Sequence, residues 1–186
     1  MFEVEMKFPV AAAKTVTDEL AGMGARPAAT IEQADQYFSH PGRDFASTDE
    51  ALRVRTSTIG TVLTYKGPVV DAATKTRLEI EVPLAGGDQH ERGICELLRA
   101  LGFQAVGTVR KRRQAWKLEW QARPFEVAID EVERLGTYVE IETLAAMPDR
   151  HAASQSVQQL AASLGLFDAE RRSYLSLLLA QDSKKQ

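Results

Sequence analysis

Charged residues recur at every second position in stretch after stretch of this chain. The first seven residues place Glu3, Glu5 and Lys7 in alternation with Phe2, Val4 and Met6. Successive side chains of a β-strand point to opposite faces, so such a segment has one charged face and one apolar face. A single segment of this kind needs only a half-exposed sheet. Recurrence along the chain is a stronger constraint, because it fixes both the secondary structure and the surface that each strand must bury.

Strand patterns are read at 1–8, 28–39, 51–58, 61–67, 75–84, 105–120, 124–132 and 137–143, many rich in Val, Ile, Thr, Tyr or Phe. Ser57-Thr58-Ile59-Gly60 predicts a hairpin turn, and Arg123-Pro124 and Leu135-Gly136 predict two more. Helices are predicted over 10–24, over 87–101 with Ile94, Leu97, Leu98 and Leu101 on its apolar face, over 149–164 and over 169–181. The Leu175–Leu179 cluster is expected to dock the last helix on the barrel or on a partner subunit. With no repeat, low-complexity segment or long linker, the chain reads as a single domain over 1–186. The expected fold is α+β: an eight-stranded antiparallel β-barrel within 1–143, with helices packed outside, including those of 149–181.

The alternating sets supply basic groups at Lys7, Arg53, Arg55, Lys66, Arg77, Lys111 and Arg113, and acidic ones at Glu3, Glu5, Glu79, Glu81, Asp130, Glu140 and Glu142. A barrel turns one face of every strand inward. If the apolar faces pack against helices, the charged faces line the bore. Such a bore cannot be a dry core, because unpaired buried ions are costly. It must hold water or a highly charged ligand. Arg and Lys grip phosphate oxygens, and clustered carboxylates hold hard divalent cations. A polyphosphate with metal ions needs both.

Composition narrows the remaining classes. The 186 residues include 44% hydrophobic ones, enough for a sizeable core, and the net charge of −3 gives no global reason to expect a nucleic-acid or anionic-membrane partner. Cys95 is the only cysteine and reads as a buried apolar residue, so no internal disulfide is expected and a reducing, cytoplasmic setting fits. No signal peptide or apolar run of spanning length is read, and no membrane partner is expected. His40, His90 and His151 lack zinc-site spacing. In Arg110-Lys111-Arg112-Arg113, alternation sends Lys111 and Arg113 inward, which argues against a nucleic-acid patch.

The ordered set Glu3-x-Glu5-x-Lys7, Arg53-x-Arg55, Lys66, Arg77-x-Glu79-x-Glu81, Lys111-x-Arg113, Asp130 and Glu140-x-Glu142 resembles the CYTH, or triphosphate tunnel metalloenzyme, superfamily. Asp35-Gln36-Tyr37-Phe38, the segment from Gly42 to Arg53, Thr64-Tyr65-Lys66-Gly67-Pro68 and Ser173-Tyr174-Leu175 look most like its class IV adenylate cyclase branch. The resemblance implies a tunnel open at both ends that binds a triphosphate with Mg²⁺ or Mn²⁺, expected as two ions, in a homodimer. Lys7, Arg53, Arg55, Lys66, Lys111 and Arg113 are expected to cradle the triphosphate, with Arg77 joining them or pairing with carboxylates. Glu3, Glu5, Glu140 and Glu142 are the expected metal ligands, supported by Glu79, Glu81 and Asp130. Glu5, Lys7, Arg55, Lys66, Lys111 and Arg113 are the expected catalytic set.

Three functions follow: an adenylate cyclase making cyclic AMP and pyrophosphate from ATP, a triphosphatase acting on inorganic triphosphate, thiamine triphosphate or a nucleotide, and a noncatalytic polyphosphate- or nucleotide-binding module. The many carboxylates argue against the last. The phosphate grip does not separate the first two. The aromatic candidates for a base site, Phe2, Tyr37 and Phe38, read as packing residues.

Overall fold

A computed structural model describes residues 1–71, 73–84 and 88–184. Eight strands form a closed antiparallel barrel in the order β1-β5-β4-β3-β2-β6-β7-β8. They are β1 (Phe2–Pro9), β2 (Arg26–Ser39), β3 (Ala51–Ser57), β4 (Gly60–Lys66), β5 (Lys75–Leu84), β6 (Gln104–Trp120), β7 (Arg123–Val132) and β8 (Gly136–Ala145). Around them lie α1 (Lys14–Gly22), the short α2 (Phe45–Thr48), α3 (Asp88–Ala100), α4 (Arg150–Ser163) and α5 (Tyr174–Ser183). The barrel with external helices is the architecture expected from the alternation.

The apolar core lies outside the ring. Val4 and Phe8 of β1 join Trp116, Phe125, Val127, Val139 and Ile141 beneath Val16 and Leu20 of α1 and Val157 and Leu160 of α4. Each fully buried side chain of this size stabilises by about 1.5–3 kcal/mol. A second cluster packs Phe38, Leu52 and Val54 against Cys95 and Leu98 of α3. The third cluster is different: Tyr37, Val109, Val132 and Tyr138 share the inward parity of Asp35, Lys111, Asp130 and Glu140, and meet Tyr174, Leu177 and Leu178 of α5 at one end of the barrel. A Cβ on Gly107 would stand 3.1 Å from the Leu175 methyl, so a glycine there lets α5 close on β6. Where helices cover the outward faces, the charged faces have only the bore to point into; on β5 the outward Leu78, Ile80 and Val82 remain exposed.

Several boundaries differ from expectation. Helix α1 begins at Lys14 rather than residue 10, and α5 at Tyr174 rather than 169, where Ser173 caps it by accepting from the Ser176 N–H. The segment before Ser173 is extended because Glu170 N–H donates to the Lys7 carbonyl at 2.7 Å, tying it to β1. The turn expected at Arg123-Pro124 lies at Gln121-Ala122, both in the left-handed region at φ 52° and 57°, and Arg123 already pairs with Trp120. That two-residue hairpin has no glycine or asparagine to announce it. On α3, Leu98 is buried but Leu97 and Leu101 are exposed, and the predicted start at Gly87 lies outside the described residues. The Ser57–Gly60 hairpin and the turn ending at Gly136, φ 96°, stand where the sequence puts them.

Candidate active site: the charged bore

The bore encloses about 630 Å³, lined by every charged residue named from the sequence except Asp130. Strand parity explains this directly. Glu3 and Lys7 of β1 are buried, as are Lys66, Arg77, Lys111, Arg113 and Glu140 on their strands. Arg110 and Arg112, one position out of phase with Lys111 and Arg113, are exposed. A wider concavity of about 920 Å³ involves Thr58, Ile59, Arg112 and Glu131. Its Arg112 already pairs with Glu131 at 3.3 Å and Glu32 at 3.9 Å among half-exposed side chains, so it offers little unspent charge.

The cations of one wall are held from behind. Asp35 on β2 faces Arg55 on β3 across the ladder and takes it bidentately, Nε to Oδ1 at 2.6 Å and the terminal nitrogen to Oδ2 at 2.7 Å, with Arg53 at 3.4 Å. Burial alone would raise the Asp35 carboxyl, but Arg53 and Arg55 outweigh it and hold it well below the usual carboxylate range. Asp130 on β7 does the same for β6. Arg113 reaches it through two bonds of 2.7 and 2.6 Å, Lys111 at 2.9 Å, and the Tyr174 hydroxyl donates to it at 3.1 Å. Asp130 is fully buried with both oxygens engaged, so it stands behind the bore as a support for Lys111 and Arg113. Burial and the neighbouring Arg113 push the Lys111 ammonium down to about 8, against the pull of Asp130 and Glu140.

The opposite wall gathers acids. Glu3, Glu5 and Glu142 bring carboxylate oxygens within 4.8 Å of one another, on β1 and β8, where Glu5 and Glu142 are direct partners. Glu126 on β7 pairs with Glu142 in turn. Burial, with Glu3 and Glu126 adding repulsion, pushes the Glu142 carboxyl up to about 8. Lys66 lies against this group, 2.6 Å from Glu3, 3.3 Å from Glu79 and 4.0 Å from Glu5. Arg77 approaches Glu5 at 3.4 Å. The other proposed ligands stand apart from the trio: Glu140 pairs with Arg113, Glu79 with Lys66, and Glu81 accepts from Thr64. Three converging carboxylates are the donor set that a hard divalent ion requires, and the raised Glu142 is the group such an ion would relieve.

Some cationic nitrogens in the bore make no hydrogen bond, although Lys75 and Arg77 stand within ion-pair distance of Asp49 and Glu3 respectively. Arg53 Nε, Arg77 Nε and Lys75 Nζ are buried without a hydrogen-bond partner, as is Gln33 Oε1. Lys75, Glu126 and Gln33 line the bore and were not picked out from the sequence, although Lys75 shares the parity of Arg77, Glu79 and Glu81 and could have been. Asp35 and the bore-lining Tyr174 sat in recognised motifs without a role. Of the aromatics, Tyr37 lines the bore, whereas Phe38 belongs to the outer core under α3.

The two ends differ. At one end the lining is Met1, Ala28, Ala29, Ile31 and Leu144, with Met1 71% exposed. At the other, Lys7 lies 4.1 Å from the Tyr174 ring centroid and donates to the Arg172 carbonyl at 2.6 Å, beneath the extended segment leading into α5. The expected opening at both ends is thus met at the Met1 mouth, while buried Tyr174 covers the other.

A family model for the CYTH domain matches residues 1–174. The chain belongs to the CYTH domain family. Over 180 residues this CYTH chain is 33% identical to a Methanocaldococcus jannaschii protein named "putative adenylate cyclase", covering 95% of this chain and 98% of that protein. The structure of the PH1819 protein from Pyrococcus horikoshii superposes with a TM-score of 0.83 at 37% identity, covering 96% of this chain and 99% of that one. A Hippeastrum protein described as a "putative adenylyl cyclase" with a dominant triphosphatase activity shares the fold, with a TM-score of 0.64 at 18% identity over 97% of this chain and 95% of that one. Among the described residues of this CYTH chain, no helix is long and apolar enough to cross a membrane. The CYTH family is metal-dependent, and the acidic trio is the cluster in this bore with suitable chemistry.

Proposed function

We propose that this CYTH chain is a divalent-metal-dependent enzyme that converts ATP to cyclic AMP and pyrophosphate. The observation that carries the reading is the pairing, within one bore, of a carboxylate trio with neighbouring buried cationic nitrogens that make no hydrogen bond. Arg53, Arg55, Lys111 and Arg113 are pre-set by Asp35 and Asp130, so they grip phosphate oxygens without reorganising. Glu3, Glu5 and Glu142 would hold Mg²⁺ or Mn²⁺, which supplies charge neutralisation on the phosphates and acidifies the attacking hydroxyl. Lys66, which pairs with Glu3, Glu5 and Glu79, is within reach to share itself with a phosphate oxygen. The apolar Met1 mouth suits the nucleoside, and places the ribose 3′-hydroxyl near the phosphate closest to it.

Triphosphate hydrolysis is the second reading. One observation favours it: the described lining of that mouth is aliphatic, Ala28, Ala29, Ile31 and Leu144, with no aromatic ring for a base to stack on. Incubation with Mn²⁺ or Mg²⁺ and either ATP or inorganic triphosphate decides. Cyclic AMP with pyrophosphate is the expected product from ATP. Orthophosphate without cyclic nucleotide selects hydrolysis, and no turnover of either compound overturns both.

A further inference from the structure

We propose that Lys75, together with Lys7, forms the subsite for the terminal phosphate and makes the bore measure phosphate-chain length. The inference rests on the triphosphate reading above and adds a residue and a selectivity to it.

Lys75 opens β5, where it faces Glu5 of β1 across the ladder. Its side chain is almost fully buried, it lines the bore, and its ammonium makes no hydrogen bond. The Asp49 carboxylate stands 2.9 Å away, close enough for an ion pair but off the hydrogen-bonding direction, on a half-exposed side chain. Asp49 itself is held by a left-handed backbone, φ 55°, at the end of α2. A buried ammonium with so little compensation is costly, and a phosphoryl oxygen is the group that satisfies it.

Position gives this cation its meaning. Along β1 the inward residues run from Met1 at the exposed mouth through Glu3 and Glu5 to Lys7 under Tyr174. Glu3 therefore lies nearer the mouth and Lys7 at the covered end, while Lys75, opposite Glu5 at the start of β5, stands on the side of the trio away from the mouth. Two buried ammoniums, Lys7 beneath the Tyr174 ring and Lys75 without a hydrogen bond, make an anion subsite. A triphosphate whose inner phosphates lie beside the trio reaches that end with its last phosphate. A diphosphate beside the trio does not. Asp49 occupies the phosphate's place on Lys75 until substrate arrives.

The test is calorimetric titration with inorganic triphosphate and with pyrophosphate, each with Mg²⁺, against wild type, Lys75→Gln, Lys75→Arg and Asp49→Asn. Lys75→Gln is expected to weaken triphosphate at least tenfold while leaving pyrophosphate within twofold, and Lys75→Arg to restore part of the loss. Asp49→Asn, which removes the internal competitor, is expected to bind triphosphate a few-fold more tightly. If Lys75 serves only to anchor Asp49, Lys75→Gln and Asp49→Asn lose thermal stability together and the triphosphate-to-pyrophosphate ratio stays fixed, which overturns the proposal. A wild type that binds no triphosphate overturns the functional reading itself, and that failure is visible before any variant is made.

Discussion

The two walls of the bore treat charge in opposite ways. On β2–β3 and on β6–β7, one buried aspartate sits behind each pair of cations: Asp35 behind Arg53 and Arg55, Asp130 behind Lys111 and Arg113. On β1 and β8, Glu3, Glu5 and Glu142 crowd together with Glu126 alongside, and Lys66 and Arg77 are the cations that approach them. The geometry of the first wall is held by bidentate pairs. On the proposed function the second is where a divalent cation would bind, so the pre-set cations belong to the wall that would grip phosphate and the converging carboxylates to the wall that would take the ion.

Substitutions on the two walls should therefore fail differently. The largest effect is expected on the acidic wall: Glu5→Ala should cut turnover of the triphosphate by about 10²–10³ while far-ultraviolet dichroism stays unchanged. Wild-type turnover in that variant would remove the trio from the chemistry. On the cationic wall, Asp130→Asn takes the paired carboxylate from buried Lys111 and leaves Arg113 with Glu140 alone, and should cost about 3–5 kcal/mol of stability, read from the denaturant midpoint. A loss of activity with no loss of stability would mean that Asp130 is more than a support.

Glu142→Gln should have the reverse sign. A carboxyl raised to about 8 in the folded state favours folding most at acid pH, and that contribution is lost as pH rises from the ordinary glutamate range through 8. At pH 9, without metal, the neutral variant should be more stable than wild type by on the order of 1 kcal/mol, with little difference at pH 5. Added Mg²⁺ should raise the melting temperature of wild type more at pH 9 than at pH 6, and that of the variant hardly at all. The smallest effect is a pH trend. Lys111, lowered to about 8, is charged below that value, so metal-free triphosphate binding should weaken a few-fold as pH passes from 7 to 9. Flat binding across that range would place Lys111 outside the grip.

Strand parity made most of the bore legible beforehand. Once Val4 and Phe8 must face outward to meet α1 and α4, Glu3, Glu5 and Lys7 have nowhere else to go. What parity cannot convey is which inward charge pairs with which. Arg113 and Glu140 belong to β6 and β8, separated by β7, and meet only because the barrel curves. The supporting role of Asp130, as distinct from Glu142, likewise depends on depth behind the wall and leaves no trace in spacing. Helix α2 escaped notice because its four residues Phe45–Thr48 carry no periodicity, only an Asp44 cap whose carboxylate accepts from the Ala46 and Ser47 N–H groups. The Gln121-Ala122 turn escaped because neither residue is a usual left-handed one.

The ring closes unevenly, and its dynamics should show it. β1 is joined to β8 over eight residue pairs but to β5 over four, from Phe2–Leu78 to Glu5–Lys75. Beyond Glu5 the β1 backbone leaves β5 and is held instead by the strap at Glu170. Amide hydrogen exchange should accordingly begin along this seam, with the backbone N–H groups of β5 facing β1 losing protection before those of β7 and β8. A barrel that unzips first beside its carboxylates and Lys75 has a side door as well as a mouth, and a trapped, highly charged product need not retrace the path of its substrate.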